Sequence, residues 1–201
     1  MITVVDYGMG NLRSVVKAVE LYTDDVMVSD DPADIAKSTA VIMPGDGAFA
    51  YAMDNLKRKG FINPLKKFIE NDGKFLGICL GYQLLFSESE EFGSHKGLDV
   101  IKGNVRKFRT EDLKVPHMGW NNVRFVRESK YLEGIENDSY FYFIHTYYPE
   151  VEDSECITGV CSYGTDFTCM ITRGNLIAAQ FHPEKSHNNG LKIIENFVRK
   201  A

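Results

Sequence analysis

Residues 74–86 read Lys-Phe-Leu-Gly-Ile-Cys-Leu-Gly-Tyr-Gln-Leu-Leu-Phe, an apolar run with Cys79 set between Gly77 and Gly81. The residues up to Ile78 have the character of a short buried strand, and those from Gly81 onward read as the start of a helix. A nucleophile flanked by glycines at a strand-to-helix turn is the elbow arrangement written G-x-S-x-G, here with cysteine in the serine position. The turn is strained, and a Cβ on either side would crowd it, which is why glycine is needed there. The helix N-terminus beyond it would stabilise a thiolate and offer backbone N–H groups to an oxyanion. His182-Pro183-Glu184 supplies the remaining parts, an imidazole to act as base and a carboxylate to orient it. The pattern is that of a cysteine-nucleophile enzyme.

Strands and helices alternate around this elbow. Met1–Val5, Asp25–Val28 and Ala40–Met43 read as strands. Asn11–Tyr22 places Leu12, Val15, Val16 and Val19 on one helical face. Asp30 or Asp31 caps a short helix with Pro32 in its first turn, and another helix is expected from Asn63 with Pro64 as its first residue. Such alternation implies a parallel sheet covered on both faces, with sites beyond the carboxyl ends of its strands. Gly8-Met9-Gly10, Pro44–Gly47 and Cys79 all fall at such ends and can share one rim.

From Asn104 the period shifts towards two. Asn104–Phe108, Asn122–Val126, Tyr140–His145, Ile157–Tyr163, Thr168–Thr172 and Leu176–Phe181 read as strands, and Asn188–Lys200 as a closing helix. Glu88, Glu90 and Glu91 are expected to form a solvated helix end. No linker or repeat divides the chain, so residues 1–201 are expected to form one α/β domain with an added, mostly antiparallel part.

Composition narrows the partners. A chain of 201 residues with 44% hydrophobic and 25% charged residues suits one well-cored domain, and its net charge of −5 argues against nucleic acid or an anionic membrane as main partner. The N-terminus lacks the basic region and apolar length of a signal peptide, and no stretch approaches the ~18 apolar residues of a membrane span. Cys79, Cys156, Cys161 and Cys169 form no C-x-x-C and no disulfide framework, so a reducing cytoplasm is the expected compartment, with the last three as inert buried thiols. No cofactor or metal is expected. Arg13 stands where a dinucleotide loop starting at Gly8 would need its third glycine, and His182, Glu184 and His187 have no coherent ligand spacing.

Gly-Ile-Cys-Leu-Gly-Tyr-Gln at 77–83 together with His-Pro-Glu-Lys-Ser at 182–186 resembles the class I (triad) glutamine amidotransferases. The segments Asp6–Leu12, Lys96-Gly97-Leu98, Pro116–Asn121 and His145–Tyr148 narrow the resemblance to the glutaminase-subunit family of imidazole glycerol phosphate synthase, an enzyme of histidine biosynthesis. The likeness spans essentially the whole chain, and it is the joint set of motifs that is specific. It implies a flavodoxin-like fold and hydrolysis of L-glutamine to glutamate and ammonia through a Cys79 glutamyl thioester, with His182 as proton shuttle and Glu184 as its orienting carboxylate. The resemblance further implies oxyanion donors at Leu80 and at Asp46 after a peptide flip, and glutamine held by Gly47, Gln83, Thr146 and Tyr147. Gly10, Asn11, Trp120 and Lys185 match segments at the interface with a (β/α)8-barrel cyclase subunit, which would receive the ammonia in a heterodimer.

This chain departs from the family at Asp46, where the oxyanion strand usually carries valine. A carboxylate pointing inward unpaired would oppose the oxyanion, so it is expected to turn away and pair with a cation or a backbone N–H. His117, beside Pro116, reads as structural, and Trp120 fits core packing as well as an exposed interface. Three other functions stay open: a paralogous glutaminase feeding a different synthase, a stand-alone cysteine hydrolase, and a nucleotide-binding module of flavodoxin type.

Overall fold

Parallel strands that are covered on both faces must bury side chains of either parity, and the central strands of this chain do so. The computed structural model describes residues 1–109 and 113–200. In chain order it runs β1 (Ile2–Val5), α1 (Leu12–Glu20), β2 (Val26–Ser29), β3 (Ala40–Met43), α2 (Phe49–Arg58), α3 (Ile62–Glu70), β4 (Lys74–Ile78) and the single turn α4 (Leu80–Gln83). The short strands β5 (Glu88–Ser89) and β6 (His95–Lys96) follow, then β7 (Gly103–Lys107), β8 (His117–Phe125), β9 (Ser139–His145) and β10 (Tyr147–Val151). β11 (Ile157–Ser162), β12 (Asp166–Arg173), β13 (Leu176–Ala179) and α5 (His187–Arg199) complete the strands and α-helices, and the short helix expected at Pro32 is a 3₁₀ helix, Pro32–Lys37, capped by Asp31.

The main sheet has the order β2-β1-β3-β4-β13-β12-β11-β8-β9. From β2 to β13 neighbours are parallel, and from β13 to β9 they are antiparallel. A smaller sheet, β10-β7-β5-β6, packs against it, with β10 beside β12. Alternation divides the core into two clusters. Ala40, Ile42, Ile177 and Ala179 pack with Val15 and Val19 of α1 and Ile193, Ile194 and Phe197 of α5. Val41, Met43, Leu176 and Ala178 pack with Phe49 and Leu56 of α2, Leu65 of α3 and the apolar residues of the small sheet. Each fully buried Leu, Ile or Phe contributes about 2 kcal/mol by leaving water. Among the described residues no helix is long and apolar enough to cross a membrane.

The site is positioned by one strand pairing. β4 and β13 are parallel neighbours in register at Ile78 and Ala179, and the Cys79 N–H donates to the Ala179 carbonyl at 2.8 Å. Residues just past the ends of both strands, Cys79 on one and Gln180 to His182 on the other, are thereby brought to the same rim. Sequence distance is cancelled by sheet adjacency.

Several local expectations are corrected. The helix expected after the elbow stops after one turn, because Leu84, Leu85 and Phe86 are fully buried and their carbonyls accept from residues 98–101 instead of continuing a helical ladder. α2 has no start signal in its own sequence: its N-cap Ala48 has no capping side chain, and the Phe49 N–H is met by Glu91 Oε2 at 2.6 Å. Glu88, Glu90 and Glu91 form no solvated helix end. Glu88 lies in β5, while Glu90 accepts from the Lys107 N–H and pairs with Arg106. α3 begins at Ile62, which leaves Pro64 inside the first turn where its missing N–H costs nothing. β8 starts at His117, five residues earlier than expected, and β10 holds Pro149 on an edge strand, where a missing donor is tolerated.

Candidate active site

Cys79 sits at φ +55° and ψ −110°, a conformation that L residues with a side chain rarely adopt. Close approach explains the flanking glycines. A Cβ on Gly81 would lie 1.9 Å from the Met43 carbonyl oxygen, and one on Gly77 would meet the Gly81 oxygen at 3.0 Å and the Ala178 Cβ at 3.1 Å. The elbow is therefore pressed against the end of β3, which leads directly into Pro44–Gly47. α4 is too short to carry a full helix dipole, so what it offers is the N–H groups of its first turn.

His182 Nδ1 donates to Glu184 Oε1 at 2.8 Å, and the two side chains are 8% and 1% exposed. A carboxylate can only accept, so this bond places the proton on Nδ1 and leaves the lone pair of the neutral ring on Nε2. Nε2 is buried and has no hydrogen-bond partner, as has Glu184 Oε2. Burial pushes the imidazole down, but the Cys79 thiolate and the Glu184 carboxylate outweigh it and raise His182 well above the usual histidine range. A buried base with an unengaged nitrogen and a fixed tautomer is ready to exchange a proton with a sulfur nucleophile.

Cys79, His182 and Glu184 line a cleft of about 400 Å³, together with Asp46, Gly47, Leu80, Gln83, Thr146, Tyr147, Asn11 and Lys185. Of the residues singled out in the sequence, Gly10 and Trp120 lie outside it. Gly10 donates its N–H to Asp46 Oδ1 at 3.0 Å, so the Asp46 carboxylate is paired with a backbone N–H as expected. On the other side of the same strand the Tyr7 hydroxyl donates to the Pro44 carbonyl at 2.9 Å, and burial, with Asp46 and Cys79 nearby, raises this phenol far above its usual range. A Cβ on Gly45 would meet the Tyr7 hydroxyl at 2.4 Å, so this strand has side-chain-free backbone where it passes the elbow. Trp120 is 45% exposed and stacks on His187 at 4.9 Å and 4°, which settles it as a surface residue of β8.

Sequence reasoning missed Glu91 and Gln180. Glu91 lines the cleft while capping α2, and nothing local distinguished it from its acidic neighbours. Gln180 is fully buried; its Nε2 lies 3.7 Å from Cys79 Sγ and its Oε1 accepts from Gln83 Nε2 at 2.9 Å. The available signal was a polar residue ending the apolar strand Leu176–Ala179, two places before His182. Gln83 Nε2 also donates to the Tyr147 carbonyl at 2.8 Å. That carbonyl accepts from His145 Nδ1 at 2.9 Å, and His145 Nε2 in turn meets His117 Nδ1 at 2.9 Å. Burial pushes His145 down to about 3 and His117 down to about 4, so both rings are neutral.

The family model for glutamine amidotransferase class-I matches residues 3–201. The imidazole glycerol phosphate synthase subunit HisH of Methanocaldococcus jannaschii is 50% identical over 202 residues, covering 98% of each chain. The protein of the same name from Moorella thermoacetica is 48% identical, covering 98% of this chain and 93% of its own. Among solved structures, that of PurLQS from Thermotoga maritima superimposes with a TM-score of 0.75 at 16% identity, over 98% of this chain and 96% of that one, which is a likeness of fold. The cysteine elbow, the His–Glu pair and these matches together place the chain in the class-I glutamine amidotransferase family, among the imidazole glycerol phosphate synthase HisH subunits.

Proposed function

We propose that this chain is the glutaminase subunit of an imidazole glycerol phosphate synthase acting in histidine biosynthesis in the cytoplasm. The observation that carries the reading is the buried His182–Glu184 pair, its Nε2 unengaged, in the cleft that holds the strained Cys79. The Cys79 thiolate attacks the side-chain amide carbon of L-glutamine, and the C–N bond breaks as His182 gives its proton to the departing ammonia. His182 then takes a proton from water, which attacks the glutamyl thioester and releases glutamate and the sulfur. Glu184 holds the ring in register throughout. Developing charge on the amide oxygen is met by the Leu80 N–H and, after reorientation of the Gly45–Asp46 peptide, by the Asp46 N–H. Gly47, Gln83, Thr146 and Tyr147 wall the substrate. Glu91, whose Oε2 accepts from the Phe49 N–H, adds a carboxylate to the cleft lining that can face the substrate's α-ammonium.

The ammonia serves a (β/α)8-barrel cyclase subunit in a heterodimer. Ammonia freed into water at neutral pH becomes ammonium and loses its nucleophilicity, so a sheltered passage favours coupling. The docking face proposed here is the outer side of the β8–β9 hairpin, where Met118, Trp120 and Tyr140 stand exposed on one face. Through the Trp120–His187 stack it continues to Lys185, and Asn11 and Lys185 line the cleft mouth. The test is to assay glutamate release by the chain alone, with the cyclase, and with cyclase plus its ribotide ligand. Slow basal turnover that rises strongly only in the liganded complex is expected, as a population shift limited by the ligand's differential affinity. In the same complex Cys79→Ser should abolish glutamine-driven synthesis and spare synthesis from ammonium salt. Full partner-independent turnover would identify a stand-alone hydrolase, and retained glutamine-driven synthesis in Cys79→Ser would remove the nucleophile assignment.

A further inference from the structure

A buried amide has two ends that differ chemically and are similar in shape, so its orientation must come from its partners. The Tyr147 carbonyl oxygen can only accept. The Gln83 atom 2.8 Å from it is therefore the amide nitrogen, and that nitrogen also lies 2.9 Å from one end of the Gln180 amide. That end of Gln180 must be its oxygen. The opposite end, 3.7 Å from Cys79 Sγ, is consequently the N–H₂ group. One backbone carbonyl thus dictates, through two side chains, that the nucleophile is faced by a donor.

We propose that Gln180 is a catalytic residue of the Cys79 nucleophile: its amide donates to the sulfur, in the orientation imposed by the Tyr147 carbonyl through Gln83. The inference rests on the glutaminase reading above and adds a group to it. Gln180 is fully buried on the end of β13, so no water competes for the sulfur on that side. Donation to an ionised acceptor is stronger than to a neutral one. The N–H therefore favours the thiolate before attack, loses most of its hold while the sulfur is acylated, and regains it as the thioester breaks and the sulfur leaves with its electron pair. The same carbonyl polarises the opposite arm. It fixes the proton of His145 on Nδ1 and makes Nε2 the acceptor for His117, so that arm ends away from the sulfur and cannot reverse the Gln83 amide.

Gln180→Met keeps the length of the side chain and removes the donor, and Gln180→Glu keeps the shape and replaces the donor with an acceptor. The readout is the rate of iodoacetamide alkylation of Cys79 across pH, which requires neither glutamine nor the cyclase. The titratable groups around the sulfur, His182 with Glu184 behind it, Tyr7 with Asp46, and His145, are unchanged in both variants. For Gln180→Met the pH midpoint of alkylation should rise by about one unit, and by more for Gln180→Glu. Glutamine turnover in the complex should fall about tenfold in kcat with KM within about twofold. An unchanged midpoint, or a uniform loss of rate at every pH, would overturn the proposal and leave Gln180 as packing. If neither variant folds, the Gln180 side-chain amide resonance of the labelled wild-type protein should titrate with the alkylation midpoint, and a pH-independent resonance would overturn it equally. A wild-type protein that shows this coupling and no glutaminase activity would instead sink the function and leave the Gln180–Cys79 contact standing.

Discussion

His182 and His145 are both 6% exposed, and the chain treats them in opposite ways. His182 faces the Glu184 carboxylate and the Cys79 thiolate, and it holds its proton well above the ordinary range even though burial opposes this. His145 faces a backbone carbonyl and the neutral ring of His117, and burial, only partly offset by the bond to the Tyr147 carbonyl, drives it down to about 3. Burial alone makes a histidine inert near neutral pH; burial beside an anion makes it a proton carrier. The difference is why the proposed chemistry falls to His182, while His145 is a neutral ring that stacks on Phe143 and Tyr163 through His117.

The sharpest way to break the contrast is Glu184→Gln, which gives His182 a neutral partner like that of His145. Glutamine turnover in the complex should fall roughly 10³-fold while ammonium-driven synthesis is kept, as expected when the orienting carboxylate of a triad is neutralised. A loss under about tenfold would show that the carboxylate is not what sets this histidine apart.

The contrast should also appear in stability against pH. His145 and His117 have lowered values in the folded chain, so between about 6.5 and 4 the unfolded chain binds the extra protons, and stability falls as pH drops through that window, by about 1.4 kcal/mol per pH unit for each ring. His182 is raised, so its contribution is full below about 6.5 and is lost as pH climbs towards its folded value. Urea midpoints measured from pH 4 to 9 should form a dome, and His117→Phe should flatten its acid limb. An acid limb of unchanged slope in that variant would mean that the pair is not neutral.

Asp46→Val gives the smallest effect. It removes the acceptor for the Gly10 N–H and frees the oxyanion strand from the loop that leads into α1. Basal or partner-stimulated turnover should change two- to tenfold with KM for glutamine nearly constant, since the peptide and not the substrate wall is released. Rates equal to wild type in both states would mark the aspartate as a tolerated replacement.

What was legible in the sequence was whatever its own neighbours determine. The elbow, the His182–Glu184 spacing and the apolar runs of β1, β3 and β4 depend on residues within a few positions, and each was readable. α2 was invisible because its start is capped by Glu91, 42 residues away in sequence. For the same reason Glu91 passed for a solvated charge. Gln180 draws its meaning from Gln83 and Cys79, which only the pairing of β4 with β13 brings near. The helix after the elbow was overextended because an all-apolar stretch is equally compatible with a buried loop whose carbonyls find partners elsewhere.

The pairing of β4 with β13 has a consequence for how such a chain can change. The chain between these two strands leaves the rim after Cys79, re-enters the sheet at Leu176 and reaches the rim again past Ala179, so the polypeptide in between is an excursion whose two ends are held together by the β4–β13 pairing. Its outer hairpin is tied to the site through the backbone of β9, where the Tyr142 carbonyl accepts from the His182 N–H and the Tyr142 N–H donates to Ser186 Oγ, so it can exchange its exposed side chains, but not its register, without moving Cys79 relative to His182. The cleft and the docking face thus share one hairpin on opposite sides of its backbone, and a lineage, or an engineer, could exchange the outward side chains at Met118, Trp120 and Tyr140 while the inward ones stay unaltered.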